Sequence, residues 1–106
     1  MELSPPQITL GAIEAGEVYL FPVRVRNVGS KQERYRVKYV SASAGGHVAR
    51  IAEGTYDKET ARLAPGLAAI VTLTLSFQHR GHITGQLCVD TEGVGTCELA
   101  INGVVR

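Results

Sequence analysis

A chain of 106 residues is near the usual size of one domain and can bury a single core without staples. A net charge of +1 excludes a strongly basic nucleic-acid binder, and no apolar run approaches the ~20 residues of a membrane helix. Met1–Pro6 has no cationic start followed by an apolar stretch, so no signal peptide is visible.

Pro5-Pro6 opens in an extended conformation, and Ile8 and Leu10 alternate with Gln7 and Thr9 as a first strand. Residues 11–16 read as a loop or kink punctuated by Gly16. Glu17–Asn27 is the second strand, with Val18, Leu20, Val23 and Val25 as candidate core. Pro22 breaks the alternation between Leu20 and Val23, which predicts an edge or a bulge. Residues 27–30 form a turn. Gln32–Val40 is the third strand, with Tyr35, Val37 and Tyr39 on the core face, and residues 41–46 read as a small-residue loop.

His47–Ile51 predicts a short strand with Val48 or Ile51 inward, and Glu53–Thr60 a polar loop in which Tyr56 is an exposed aromatic. Pro65-Gly66 marks a turn. Ala68–Phe77 alternates most cleanly, burying Val71, Leu73, Leu75 and Phe77, with Ile70 at a strand end. Gln78–His82 is a turn. Ile83–Asp90 and Thr96–Val105 are the last two strands around a Glu92-Gly93 turn, with a bulge or kink at Asn102-Gly103.

No segment keeps a 3.6-residue apolar repeat with a cap at each end. The chain is therefore predicted to be all-β, an immunoglobulin-like β-sandwich of about seven antiparallel strands, without the tryptophan of antibody domains. Leu87 and Val89 place Cys88 outward, and Leu99 and Ile101 place Cys97 inward. On this parity the two thiols do not face each other, and both are expected to be reduced.

The outward positions of the second and third strands carry Arg24, Arg26, Arg34, Arg36 and Lys38. If these strands share a sheet or flank one edge, the five cations make a patch for acidic peptides, acidic tubulin tails or phosphates. The alternative is that outward positions need polar residues and these are basic, with Glu17, Glu33 and Glu53 neutralising them. His47, His79 and His82 do not supply the ligand set a zinc site needs. No Gly-x-Ser-x-Gly, P-loop or dinucleotide-binding motif is present, and Asp57 and Glu59 flank Lys58 in the polar loop. The residues therefore point to a non-enzyme with no cofactor.

The order of motifs carries a resemblance. Pro-Pro-x-Ile-x-Leu-Gly precedes a glycine loop, then Val-x-Val-x-Asn, an aromatic-rich alternating strand and a Pro-Gly turn. Val-x-Leu-x-Leu-x-Phe, Gly-x-Leu-x-Val and Leu-x-Ile-x-Gly close the chain. The whole chain resembles the ASH domain, within the major-sperm-protein and PapD-like superfamily. The resemblance implies one non-catalytic domain, 1–106, of a longer chain. It implies a scaffolding role in a ciliary, flagellar or centrosomal protein of the cytoplasm and cytoskeleton, in some cases microtubule-associated. The expected partners are proteins rather than nucleic acid or a membrane interior, and the domain alone is expected to be monomeric. Major-sperm-protein domains bind short acidic peptides through a Lys-Val-Lys-Thr-Thr-like strand. Arg36-Val37-Lys38 resembles it, with Tyr39 and Val40 in place of the threonines. A peptide adaptor of that type is one alternative. A secreted or periplasmic sandwich, marked by a Cys88–Cys97 bond, is another.

Overall fold

The computed structural model describes residues 1–51, 61–93 and 95–106. The polar loop with Tyr56, Asp57 and Glu59 lies outside the described residues. Among the described residues ten strands follow in chain order: β1 (Glu2–Ser4), β2 (Gln7–Ile13), β3 (Val18–Arg26), β4 (Glu33–Ala44), β5 (His47–Val48), β6 (Arg50–Ile51), β7 (Ala61–Leu63), β8 (Ala68–Ser76), β9 (Gly81–Thr91) and β10 (Gly95–Val105). They form two sheets, one in the order β1-β3-β8-β6, the other β2-β10-β9-β4-β5 with β7 also paired to β4. This is the immunoglobulin-like sandwich, and the two inner faces interdigitate to form the core. β2 departs from an all-antiparallel arrangement, running parallel to β10.

The first strand is split. β1 joins β3, the chain turns at Pro5-Pro6, and β2 joins the opposite sheet. A second crossing occurs at the buried Ala49, between β5 in one sheet and β6 in the other. This accounts for the expected 47–51 strand: Ile51 packs on the core while Val48 is exposed. Val71, Leu73, Leu75 and Phe77 are buried, as their alternation predicts.

Stretches read as a kink and a loop are strand, and the bulge alternative at Pro22 is absent. β2 continues through the expected kink to Ile13. β4 continues through the expected loop to Ala44, because Ala42 and Ala44 bury inward and Ala42 pairs with Gly85, where the strands approach closely. Most consequential is β3, whose register with β8 runs unbroken from Val18 opposite Ser76 to Arg26 opposite Ala68. Pro22 causes no slip. β1 pairs with β3 only at Arg24–Arg26, so Pro22 sits where that flank of β3 has no partner among the described residues. A missing amide hydrogen there breaks no ladder bond. The expected bulge near the chain end is present: the β2–β10 register shifts between Asn102 and Val104.

Pro65 and Gly66 form the expected turn, closed by a hydrogen bond from the Leu67 amide to the Ala64 carbonyl at 3.0 Å. Gly66 has φ +81°, which suits the third position of a type II turn. Asn27, at the end of β3, ties this turn to the rest. Its Nδ2 donates to the Lys31 carbonyl at 2.8 Å and the Leu63 carbonyl at 2.9 Å, and its Oδ1 accepts from the Gly29 amide at 3.0 Å. Its backbone closes two more bonds, to Leu67 and from Gly66.

Candidate functional site

The five cations do not form one patch. Arg24 and Arg26 lie on β3 and Arg34, Arg36 and Lys38 on β4, so they sit in different sheets and face opposite sides of the sandwich. The condition for a single surface, one sheet or one edge, is not met. The two groups also differ electrostatically.

On β4, pairing with β9 sets carboxylates beside the arginines. Arg36 Nη2 stands 3.6 Å from Asp90 Oδ2, and Arg34 Nε stands 3.9 Å from Glu92 Oε2. The acids beside these arginines come from β9 and the turn that follows it; of the expected acids, Glu17 and Glu33 ion-pair with no arginine among the described residues, and Glu53 lies outside the described residues. Such exposed pairs contribute about 0–1 kcal/mol each, but they reduce the charge offered to a partner.

Lys38, in the stretch that resembles the peptide-binding strand, sits at an irregularity of β4. The β4–β9 register shifts between Val37, opposite Val89, and Tyr39, opposite Cys88. One extra residue reverses parity. Tyr35 and Val37 face the core before the bulge, and Val40 and Ala42 after it. Tyr39, expected on the core face, is exposed on the outer one and contacts Gln86 Oε1 through its hydroxyl at 3.4 Å.

Cys88 lies on this outer face, as its parity predicts, yet it is only 2% exposed, not open to solvent. Tyr39 and Glu98 are its cross-strand neighbours. Burial, with the Glu98 carboxylate adding to it, pushes the Cys88 thiol above its ordinary range. Cys97 faces inward and donates to the Met1 carbonyl at 3.2 Å. Both cysteines are free thiols on opposite faces, which leaves the secreted alternative without its marker bond. His47 and His79 stack with centroids 3.7 Å apart, bringing the β4–β5 and β8–β9 turns together.

The outer face of the β1-β3-β8-β6 sheet was missed by sequence reasoning. Because β3 keeps one register through Pro22, Tyr19, Phe21, Val23 and Val25 point inward and Val18, Leu20, Pro22, Arg24 and Arg26 outward. Val18 and Leu20, expected in the core, are 64% and 65% exposed. Ile70, opposite Arg24 on β8, is 59% exposed on the same face. Arg50 of β6 pairs with Ser76, itself opposite Val18, and completes the row at the far end. The signal was present in the sequence as Tyr19, Phe21, Val23 and Val25 at period two.

Comparison with known proteins places this arrangement. Chains of solved structures share the fold across nearly the whole length. The ASH / PapD-like domain of human CEP192 (PapD-like domain 7) superposes with a TM-score of 0.69 at 16% identity, covering 99% of this chain and 84% of that one. SSP-19, an MSP-domain protein like family member of Caenorhabditis elegans, superposes with a TM-score of 0.59 at 13% identity, covering 97% and 98%. No curated protein matches the chain. A family model described as flagellar-associated PapD-like matches residues 1–105. On that match, spanning both sheets of the sandwich, the chain belongs to the flagellar-associated PapD-like family.

Proposed function

We propose that this chain is a non-catalytic protein–protein interaction and scaffolding module of a ciliary, flagellar or centrosomal protein. The family match over residues 1–105 carries the reading. The likeness to a CEP192 domain is consistent with it through the fold. A sandwich whose outer face keeps Val18, Leu20 and Ile70 in solvent is also suited to binding another macromolecule.

Acidic tubulin tails are the partner first suggested by the cations. The split of those cations between two faces, and the pairing of Arg34 and Arg36 with Glu92 and Asp90, leave Arg24 and Arg26 as the better tubulin contacts. Expression of the tagged chain in a flagellated cell tests the setting. Signal concentrated on the axoneme, basal body or centrosome is the expected result, and diffuse cytoplasmic signal would refute it. Cosedimentation with microtubules tests the charge component. Arg24→Glu should weaken it more than Arg36→Glu, and equal binding by all forms would remove tubulin as the partner.

A further inference from the structure

We infer that the outer face of β3 and β8 docks an acidic amphipathic segment of a partner protein, its apolar stripe lying across Leu20, Pro22 and Ile70 and its carboxylates reaching arginines at both ends. The inference rests on the interaction-module reading and adds the face and the chemistry of the partner.

Three observations carry it. First, the aliphatic floor is contiguous. Leu20 stands opposite Thr74, Pro22 opposite Thr72 and Arg24 opposite Ile70, so Ile70 is the diagonal neighbour of Pro22. Second, both ends of the floor are cationic: Arg24 and Arg26 at one, and Arg50, beside Ser76 and two strands from Val18, at the other. The six-residue step from Val18 to Arg24 spans roughly 20 Å at ~3.3 Å per residue. That length suits about four helical turns. Third, these arginines have no ion-pair partner among the described residues. Glu2 faces Arg26 in register and Glu17 stands just ahead of Val18, but neither comes within 4.0 Å of an arginine. The β4 arginines, by contrast, are already occupied.

The same geometry argues against a second copy as the occupant. A two-fold pairing of this face brings the unpaired arginines of two copies into one interface, because both ends carry them. Like charges gathered in that way are repulsive. A protein segment with carboxylates at both ends meets no such conflict.

The test is titration of the isotope-labelled chain with a synthetic helical peptide bearing a leucine stripe and glutamates at both ends, followed by NMR. Shifts should map to residues 18–24, 50 and 68–74. The same peptide with lysine in place of glutamate should not bind, and that arm needs no variant. Leu20→Ser with Ile70→Ser should weaken binding at least about tenfold, as should Arg24→Glu with Arg26→Glu; Arg34→Glu with Arg36→Glu should leave it unchanged. Shifts confined to residues 34–40, equal binding of the two peptides, or no binding would each overturn the inference. So would uptake by phosphatidylserine vesicles in place of the peptide, or a dimer in sedimentation abolished by Leu20→Ser. If the wild-type chain reaches the flagellum or centrosome and the Leu20→Ser, Ile70→Ser variant reaches it equally well, the docking face falls and the interaction-module reading stands.

Discussion

Replacing Asn27 by alanine should be among the most damaging single changes to a polar residue in this chain. Asn27 is 1% exposed and its side chain makes three hydrogen bonds, to the Lys31 and Leu63 carbonyls and from the Gly29 amide. Each is worth about 0.5–1.5 kcal/mol net, and alanine leaves the buried Leu63 carbonyl and the partly buried Lys31 carbonyl and Gly29 amide without their side-chain partner. A loss of about 3 kcal/mol follows, which at roughly 4–8 °C per kcal/mol lowers the melting temperature by about 12–24 °C. Asn27→Asp separates hydrogen bonding from shape. Its second oxygen would face the two carbonyls that Nδ2 now serves, and burial would add to the repulsion. That environment raises the new carboxyl's pKa in the folded state. The contribution is then least unfavourable below the unfolded carboxyl's pKa and worsens as pH rises through it. Calorimetry at pH 4 and pH 7 should show Asn27→Asp worse than Asn27→Ala at pH 7, with the gap narrowing at pH 4. A melting temperature within about 4 °C of wild type for the alanine variant would refute the keystone role.

A Cβ at Gly85 would strike the Ser41 carbonyl oxygen and approach Ala42 Cα and Cβ at 2.9 and 3.0 Å, so Gly85→Ala should lower the stability measured by urea unfolding by about 1–3 kcal/mol. Combining it with Ala42→Gly should recover part of that loss, and strict additivity of the two would sink the steric account. Cys97 should react with a thiol reagent before Cys88, whose thiolate is disfavoured by burial and by Glu98. Because the folded Cys88 pKa is raised, its contribution to stability is complete below the ordinary thiol value of 9.0 and is lost above it, as pH rises through the higher folded value. Cys88→Ala should flatten that alkaline decline, and an unchanged pH profile would count against the assignment.

How much the sequence carried differs from strand to strand. β8 was legible because Val71, Leu73, Leu75 and Phe77 alternate with polar residues and nothing interrupts them. β3 was legible as a strand but not in phase. Both of its faces are apolar near Pro22, and the inner set was recognisable only from the partner that covers it. The Ser41–Ala44 end of β4 read as a loop because small residues usually signal one, whereas here Ala42 and Ala44 are buried and paired with β9, Ala42 close against Gly85. The role of Asn27 was not legible, since it depends on Leu63, 36 residues away.

The sequence by itself determined the period-two pattern, the all-β class and the sandwich. Alternation names two faces of every strand, and burying one apolar face of each leaves few other architectures. Tertiary structure decided which face of β3 is covered, which sheet receives β3 and β4, and where parity reverses at Lys38. Those outcomes rest on inter-strand hydrogen bonding between distant segments, which a local pattern does not encode. They moved the candidate site from a five-cation strand pair to an aliphatic floor with arginines at its ends.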